Sequence, residues 1–221
     1  MHSEAAAVEL WKDLARKAKK LFGIELSGDD LRRLADLVSL LQAWSAKVNL
    51  LSAETTEEIV YRHVLDSLAP AMWIGSTEMI ADLGSGAGFP GIPLGLVRPS
   101  AHLWLIESRR KRANFLRHVV RVLKLHNVTV YEGRAEEFAG SHPHEFGAAV
   151  ARAISPELLI RFAHEVVEPG GRAILMRKAG AVSVSAEGFT QQGREEYELP
   201  GGFHHEVVIL VRELTNGSTP D

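Results

Sequence analysis

The sequence of 221 residues contains no cysteine, which excludes disulfide bonds, thiolate metal sites and cysteine nucleophiles. It also lacks any apolar run near the roughly 18 residues that a membrane-spanning helix requires. Charged residues are spread through the N-terminal part of the chain, where a signal peptide would carry an apolar stretch. These absences predict a soluble protein, and the missing cysteines fit a cytoplasmic one.

Neither sign of charge dominates, because 25 Lys and Arg residues stand against 28 Asp and Glu residues, for a net charge of −3 at pH 7. Any contact with nucleic acid therefore has to come from a local basic patch rather than from an overall positive field. The ten histidines lack a spacing typical of metal sites, and we expect no metal. We interpret His142, His144, His204 and His205 as loop residues.

The N-terminal region is predicted to be helical. Apolar residues at helical spacing indicate one helix over 4–22 and a second after Ser27, with Ser27 or Asp29 as its cap. A third helix is predicted to open with a capping box at position 55 or 56 and to run to 67. We expect Pro70 to end it, because a proline ring clashes with the preceding helical turn.

From Glu78 onward, short β-prone segments alternate with helices, which is typical of parallel βαβ units. The predicted strands are 78–83, 102–107, 128–132, 147–151 and 172–177, and the predicted helices are 90–97, 109–124 and 156–166, with a short loop or helix at 134–138. Two more strands, 194–200 and 206–212, predict a C-terminal antiparallel hairpin. We therefore expect an α/β, Rossmann-like, mostly parallel seven-stranded sheet over 76–213, with a helical extension over 1–75 packed on it and a polar tail over 214–221.

The first strand runs into a glycine-rich loop, in which Asp82 precedes glycines at 84, 86, 88 and 91. Glycine lets the backbone approach a ligand closely, and ligands of such sheets bind at the carboxyl ends of the strands. Glu107 ends the next strand, where a carboxylate can accept hydrogen bonds from ribose hydroxyls. Asp82, Gly86, Gly88 and Glu107 are therefore candidate contacts to a nucleoside-like cofactor.

Other interpretations of the loop stay open. In one alternative, Asp82 only caps the loop, and Glu107 only caps the helix that begins near Arg109. Residues 86–91 also satisfy the G-x-G-x-x-G pattern of NAD(P)-linked oxidoreductases. That class is disfavoured by Asp82, which would repel a pyrophosphate, by the terminal hairpin, and by the lack of a Tyr/Lys or His/Asp catalytic pair. A non-catalytic RNA-binding protein is a third reading.

Several motifs together resemble the bacterial small-subunit rRNA guanine-N7 methyltransferases, also called methyltransferase G or glucose-inhibited division protein B. Residues 82–94 resemble the family's D-x-G-[ST]-G-x-G-x-P-G-I-P-L signature, and residues 62–68 resemble its R-H-[IV]-L-D-S-L motif. Weaker similarity lies in 44–50, 107–116, 151–153 and 177–180. The sequence departs from the family pattern at Ser45, Leu51 and Ala151, beside the expected site.

The resemblance implies a class I methyltransferase fold that uses S-adenosylmethionine and methylates N7 of a guanine in 16S rRNA, free or within the 30S subunit. The cofactor contacts that it implies are Gly84, Phe89, Ala135, Glu136 and Arg152. Arg152 and Lys178 are candidate catalytic, positioning residues, since Arg152 follows a strand and can hold a carboxylate or phosphate. Alternatively, Arg152 forms a surface ion pair with Glu157, and Glu136 is a solvated acid at a helix start. Another RNA position or a small-molecule acceptor stays open.

The predicted chemistry needs little besides alignment. N7 of guanine is unprotonated at neutral pH, so its lone pair attacks the methyl group directly, without a general base. The acceptor base has to be unstacked, and cations have to hold the RNA backbone. The candidate RNA-binding residues are Arg62, His63, Arg109, Arg110, Lys111, Arg112, Arg117 and Arg177. Arg121 and Lys124 extend the helical face of Arg117; in the alternative interpretation this face is only solvated. His63 alternatively pairs with Asp66. Nothing demands an oligomer, and we expect a monomer.

Overall fold

The computed structural model describes residues 2–52, 54–75, 78–180 and 186–214. Its N-terminal region holds α1 (His2–Phe22) and α2 (Gly28–Val48). Ser27 caps α2, because its hydroxyl accepts the Asp30 N–H at 3.1 Å while the Asp30 carboxylate accepts the Ser27 N–H at 2.8 Å. Of the two predicted caps, Ser27 is therefore the one that forms.

The third helix changes its winding twice. It begins as α3 (Thr56–Ile59) behind a capping box of Thr55 and Glu58, continues as a π-helical turn (Val60–Leu65), and ends as a 3₁₀ helix (Asp66–Trp73). The prediction that Pro70 ends the helix is wrong. Proline clashes with the carbonyl four residues earlier in α-helical winding, whereas this segment is already wound with hydrogen bonds to the third residue back.

One seven-stranded sheet has the order β3-β2-β1-β4-β5-β7-β6. Its strands are β1 (Met79–Leu83), β2 (His102–Glu107), β3 (Val128–Glu132), β4 (Phe146–Arg152), β5 (Val167–Lys178), β6 (Phe189–Leu199) and β7 (Phe203–Arg212). The first five are parallel, and β7 lies antiparallel between β5 and β6. The predicted fold class is confirmed. His204 and His205 belong to β7, so their interpretation as loop residues is wrong; the hairpin turn is simply shorter than expected.

The connecting helices are α4 (Gly91–Val97), α5 (Arg110–Val122), α6 (Ala135–Ser141) and α7 (Pro156–Val166). The helix predicted over 109–124 is shorter at its end, because Lys124 takes a left-handed conformation with φ +52°. Lys124 therefore does not continue the helical face of Arg117 and Arg121.

Alternate strand residues supply two apolar cores, one on each face of the sheet. Ile80 and Leu103 belong to the core that Leu14 of α1 and Leu34 of α2 also enter, whereas Ala81 belongs to the core under α6 and α7. The N-terminal helices thus share a core with the sheet. The predicted domain boundary falls beside residues 76–77, and the predicted tail is 214–221; residues 76–77 and all of the tail after 214 lie outside the described residues, so the division stays a prediction. No helix in the described ranges is long and apolar enough to span a membrane.

Candidate functional site

The loop after β1 has the conformation that its glycines predict. Gly84, Gly86 and Gly88 all have positive φ, at +71°, +56° and +91°. A Cβ on Gly84 would lie 2.7 Å from Cδ1 of Ile154, whereas a Cβ on Gly86 would meet nothing nearer than 3.7 Å. The loop is therefore packed against the end of β4 at Gly84 and has space above Gly86.

Asp82 lies under this loop and is fully buried. Its Oδ2 accepts the Gly91 N–H at 3.1 Å, and a Cβ on Gly91 would lie 2.5 Å from the same oxygen. Oδ1 is also buried and has no hydrogen-bond partner among the described residues. Burial raises the pKa of Asp82 to about 7. Asp82 thus caps the loop from below, as the second interpretation had it, and its contact with a cofactor stays a prediction.

Glu107 joins the glycine loop to the start of α5. Its Oε2 accepts the Gly86 N–H at 3.0 Å, and its Oε1 accepts the Arg109 N–H at 2.7 Å. The residue is 5% exposed, at the carboxyl edge of the sheet. A carboxylate has about four acceptor positions, of which these contacts use two, so it can still accept from ribose hydroxyls. The helix-capping interpretation and the ribose interpretation are therefore compatible.

Arg152, at the end of β4, is held by three donated hydrogen bonds. Its Nη1 donates to the carbonyl oxygen of Arg62 and to Oδ2 of Asp66, both at 3.2 Å, and its Nη2 donates to Nδ1 of His63 at 3.0 Å. The guanidinium carbon lies 5.2 Å from the centroid of Phe89, in the glycine loop. The alternative ion pair with Glu157 is wrong, since the partner is Asp66, and the contact of Arg152 with a cofactor stays a prediction.

His63 does not pair with Asp66, so that interpretation is wrong. Both side chains contact the guanidinium of Arg152 rather than each other. Instead, Nε2 of His63 lies 2.7 Å from Oε2 of Glu54, and the imidazole ring stacks on Phe89 with centroids 5.3 Å apart. Burial and the charge of Arg152 hold the pKa of His63 below its usual range, so the ring is neutral at pH 7.

Asp66 connects this cluster to the C-terminal hairpin. Its Oδ1 accepts hydrogen bonds from the Tyr197 hydroxyl at 2.8 Å and from Nδ1 of His205 at 2.7 Å. Although burial favours its neutral form, the hydrogen bond from His205 and the charge of Arg152 keep the pKa of Asp66 below its ordinary value. Burial raises the pKa of Tyr197, and the charge of Asp66 and its hydrogen bond to the hydroxyl raise it further. Asp66 is therefore an ionised carboxylate that is 1% exposed and has three partners.

The other predicted cofactor residues lie beyond β3. The Gly133 N–H donates to the Glu107 carbonyl at 3.2 Å, which brings the start of α6 beside the glycine loop. Ala135 and Glu136 line a cavity of about 280 Å³ between α6 and α7. Glu136 is exposed and lies 3.4 Å from Arg161. The solvated-acid interpretation describes its present surroundings, and its contact with a cofactor stays a prediction.

The predicted RNA-binding cations differ in their surroundings. Arg109, Arg110 and Lys111 are exposed at the start of α5, and Arg112 is half-buried beside Gly86. The remaining cations have carboxylate partners: Arg62 with Glu54 at 3.1 Å, Arg117 with Glu132 at 2.6 Å, and Arg177 with the buried Glu206 at 2.6 Å. Lys178 is exposed at the end of β5. No group of metal-ligating side chains occurs in the part of the chain that the structure describes.

Comparison with known proteins identifies the family. The model of the family described as rRNA small subunit methyltransferase G (GidB) matches residues 30–207. The chain belongs to the rRNA small subunit methyltransferase G family. A relative of that name in Desulfitobacterium hafniense is 34% identical over 219 residues, covering 94% of this chain and 90% of its own. Another in Roseiflexus castenholzii is 35% identical over 204 residues, covering 86% and 87%. The resemblance and the prediction of a methyltransferase are confirmed.

Solved structures support the fold of this methyltransferase G family member. A variant of MtNAS in complex with S-adenosylmethionine superposes with a TM-score of 0.57 and 21% identity, over 82% of this chain and 75% of that one. TYW2 of P. horikoshii in complex with MeSAdo gives 0.56 and 13%, over 69% and 63%. At these identities the likeness concerns the Rossmann-like fold.

The residues of the site that can be found from the sequence alone are those that stand in the family's motifs. Asp66 stands within the R-H-x-L-D-S motif, which signals importance without showing its partners. Nothing in the spacing of the sequence points to Glu54, Tyr197, Phe203 or His205. These residues lie in other segments and meet the motif only in the folded chain, where Glu54 contacts His63, Tyr197 and His205 contact Asp66, and the guanidinium carbon of Arg62 lies 4.8 Å from the ring centroid of Phe203.

Proposed function

We propose that this member of the methyltransferase G family transfers a methyl group from S-adenosylmethionine to N7 of a guanine in 16S rRNA. The observation that supports this most is the meeting of three features at one sheet edge. Gly86, which has open space beside its backbone, donates its N–H to Glu107, and Phe89 of the same loop lies under the guanidinium of Arg152. Ligand sites of such sheets lie at this edge.

The residues present fit S-adenosylmethionine. The spare acceptor positions of Glu107 suit ribose hydroxyls, and the left-handed Gly86 leaves room for a ligand over the loop. The proposed contacts are Gly84, Gly86, Gly88, Phe89, Glu107, Ala135, Glu136 and Arg152, with Asp82 supporting the loop. The cofactor supplies an electrophilic methyl group on a sulfonium.

The chain's own residues orient the reactants and need not remove a proton. Arg152 has five N–H donors, of which three are used internally, so two remain for a carboxylate or phosphate. His63 is neutral, with its ring against Phe89 and its two nitrogens used by Arg152 and Glu54. It is therefore poorly placed to act as a base, which suits an acceptor nitrogen that has a free lone pair. Catalysis by alignment follows.

RNA is proposed to bind along the start of α5, with Arg62, His63, Arg177 and Lys178 nearer the methyl-transfer site. Arg109, Arg110 and Lys111 make no ion pair with any described residue. Cations at a helix N-terminus are unfavourable for the helix, so this cluster is not explained by stability. Backbone phosphates would compensate it. The monomeric state expected from the sequence also remains part of this proposal.

Calorimetric titration of S-adenosylmethionine into wild-type protein and Gly86→Asp tests the donor site. We expect binding by the wild type and its loss in Gly86→Asp, with Gly140→Ala as a control, because a Cβ on Gly140 meets nothing within 4 Å. Incubation with labelled cofactor and 30S subunits, followed by nucleoside analysis, should give 7-methylguanosine. Binding of NAD instead of S-adenosylmethionine, or methylation of another atom, would contradict the proposal.

A triple variant of the α5 cations separates RNA binding from cofactor binding. Arg109→Ala/Arg110→Ala/Lys111→Ala should lower RNA affinity and reduce the salt dependence by about 0.7–0.9 per lost phosphate contact. Its affinity for S-adenosylmethionine should stay at the wild-type value. Arg32→Ala, which removes an exposed cation of α2, is the matched control. An unchanged salt slope would remove the α5 cluster from the RNA interface.

A further inference from the structure

We infer that Glu54 is a positioning residue for methyl transfer: by accepting the Nε2 proton of His63, it makes Nδ1 the acceptor that holds Arg152 against Phe89. This inference rests on the proposed function for its activity readout. Glu54 lies in the connection between α2 and α3, outside every motif of the family and every residue predicted for the site.

The burial and the hydrogen bonds of Glu54 suit this positioning role. Its side chain is only 7% exposed, although it lies in a surface connection. Oε1 accepts from Nη1 of Arg62 at 3.1 Å, and Oε2 accepts from Nε2 of His63 at 2.7 Å. The capping of α3 is done by Thr55 and Glu58, so Glu54 is not required for the helix start. A buried carboxylate costs desolvation energy, which these two partners offset.

The tautomer of His63 follows from its partners. A guanidinium has only donors, so Nη2 of Arg152 must donate and Nδ1 of His63 must accept. In the neutral ring the proton is then on Nε2, where Glu54 accepts it. Without Glu54, the ring would be free to carry its proton on Nδ1. That proton would face the donor of Arg152 and break their hydrogen bond.

Loss of Glu54 would affect the glycine loop, because both His63 and Arg152 contact the ring of Phe89, which belongs to that loop. His63 stacks on Phe89 at 21° to its plane, and the guanidinium of Arg152 lies over the same ring. Losing the bond from Arg152 to His63 would leave the guanidinium held only through Nη1, by Asp66 and the carbonyl oxygen of Arg62, so that Nη2 could move. Misalignment by about 1 Å costs up to about 100-fold in rate, so loss of a distant carboxylate is expected to lower kcat.

Protonation of His63 would have the same effect, since a charged imidazole has two donors and no acceptor. Arg152 and Arg62 oppose its protonation, as does burial, whereas Glu54 favours it. The pKa of His63 is held below the usual range of histidine, so wild-type activity should fall only at a pH below the range in which an unperturbed histidine titrates. Glu54→Gln retains an oxygen for Nε2–H but removes the charge that raises this pKa. Its activity should therefore fall at a lower pH.

Pairs of variants test the inference. Glu54→Ala should lower kcat at pH 8 by about tenfold or more, and Glu54→Gln should recover most of it with the acid limb moved to lower pH. His63→Asn places an amide oxygen near the position of Nδ1 and cannot titrate, so its acid limb should vanish. Glu58→Gln, in the same segment, is the matched control and should keep the wild-type profile. An unchanged acid limb in both Glu54→Gln and His63→Asn would overturn the inference.

A spectroscopic measurement keeps this test independent of activity. Imidazole ¹⁵N shifts, with the His63 signals assigned by their absence in His63→Asn, should show a protonated Nε2 and a bare Nδ1 in the wild type. In Glu54→Ala the two signals should move towards each other as tautomers mix. If the wild type fails to methylate RNA but Glu54→Ala shows this tautomer shift, the proposed function fails and the assignment of Glu54 stands. An unshifted His63 spectrum in Glu54→Ala would refute the assignment by itself.

Discussion

The glycine loop is held by backbone N–H groups that donate to two buried carboxylates, whereas Arg152 is held mainly by side chains from distant segments. Gly91 and Gly86 donate to Asp82 and Glu107. On the other side, His63 and Asp66 hold the guanidinium, and Asp66 in turn depends on the hairpin. The loop is also tightly packed, since a Cβ on Gly84 or Gly91 would clash, whereas the Arg152 cluster is formed by charged and titratable side chains. The loop should therefore respond to added side-chain volume and to the protonation of Asp82, and the Arg152 cluster to charge and protonation.

The largest effect is expected from Asp66→Ala. Removing it leaves Arg152 and His205 without their carboxylate in a part-buried cluster, and one-sided loss of a buried pair costs about 3–5 kcal/mol. Because the Arg152 side chain is 17% exposed, we expect the lower end of that range, measured by urea unfolding. Asp29→Ala, which breaks an exposed ion pair with Arg32, should cost below about 1 kcal/mol. Equal losses in the two variants would contradict the comparison.

The second prediction concerns the pH dependence of two buried carboxyls. The pKa of Asp82 is raised to about 7, so the folded state holds a proton that the unfolded state has lost. Stability should therefore fall as pH rises from about 4 to about 7, and Asp82→Asn should remove that loss, on the order of 3 kcal/mol. Asp66 has a lowered pKa, so its contribution is present above its unfolded pKa and is lost as pH falls through the folded one. Asp66→Asn should remove this opposite slope.

Stability curves from pH 3 to pH 8 for the wild type and both Asn variants check these signs. The difference between Asp82→Asn and wild type should grow with pH up to about 7 and then stay constant. A difference that shrinks with rising pH would mean that Asp82 is ionised and stabilising in the folded loop.

Gly91→Ala tests whether the glycine loop is sensitive to added side-chain volume. The added Cβ would lie 2.2 Å from Cδ2 of Leu105 and 2.5 Å from Oδ2 of Asp82, so the loop or β2 has to move. Overpacking of this kind costs about 1–3 kcal/mol, and we expect the affinity for S-adenosylmethionine to fall with it. Gly140→Ala, in α6, should be neutral or stabilising by up to about 1 kcal/mol. Thermal unfolding of the two variants makes the comparison, and an unaffected Gly91→Ala would contradict the packing described.

The smallest effect on stability is expected from Glu136→Gln. Its ion pair with Arg161 is exposed on both sides, so unfolding should change by less than about 1 kcal/mol. If Glu136 contacts the cofactor, calorimetry should nevertheless show weaker binding of S-adenosylmethionine. Unchanged affinity would take Glu136 out of the proposed site.

The two sides also differ in how far sequence predicts them. Gly91 is nine residues from Asp82, and Gly86 is 21 from Glu107, so a strand, a loop and the next strand already place them. Asp66 is 86 residues from Arg152, 131 from Tyr197 and 139 from His205. No periodicity connects such positions. Even the local pairing of His63 with Asp66 fails, because both side chains contact Arg152 of β4 instead of each other.

The position of β7 inside the sheet sets an order of assembly. During synthesis the glycine loop and Glu107 emerge before the hairpin, and the hydrogen bonds from Gly86 and Gly91 to Glu107 and Asp82 join residues within about the first half of the chain. The partners that Asp66 needs come from β6 and β7, and β5 acquires its second neighbour only when β7 inserts between it and β6. A nascent chain can therefore form these hydrogen bonds of the glycine loop while Asp66 still lacks Tyr197 and His205. Asp66, and through it Arg152, gains its last partners only once nearly the whole chain has left the ribosome.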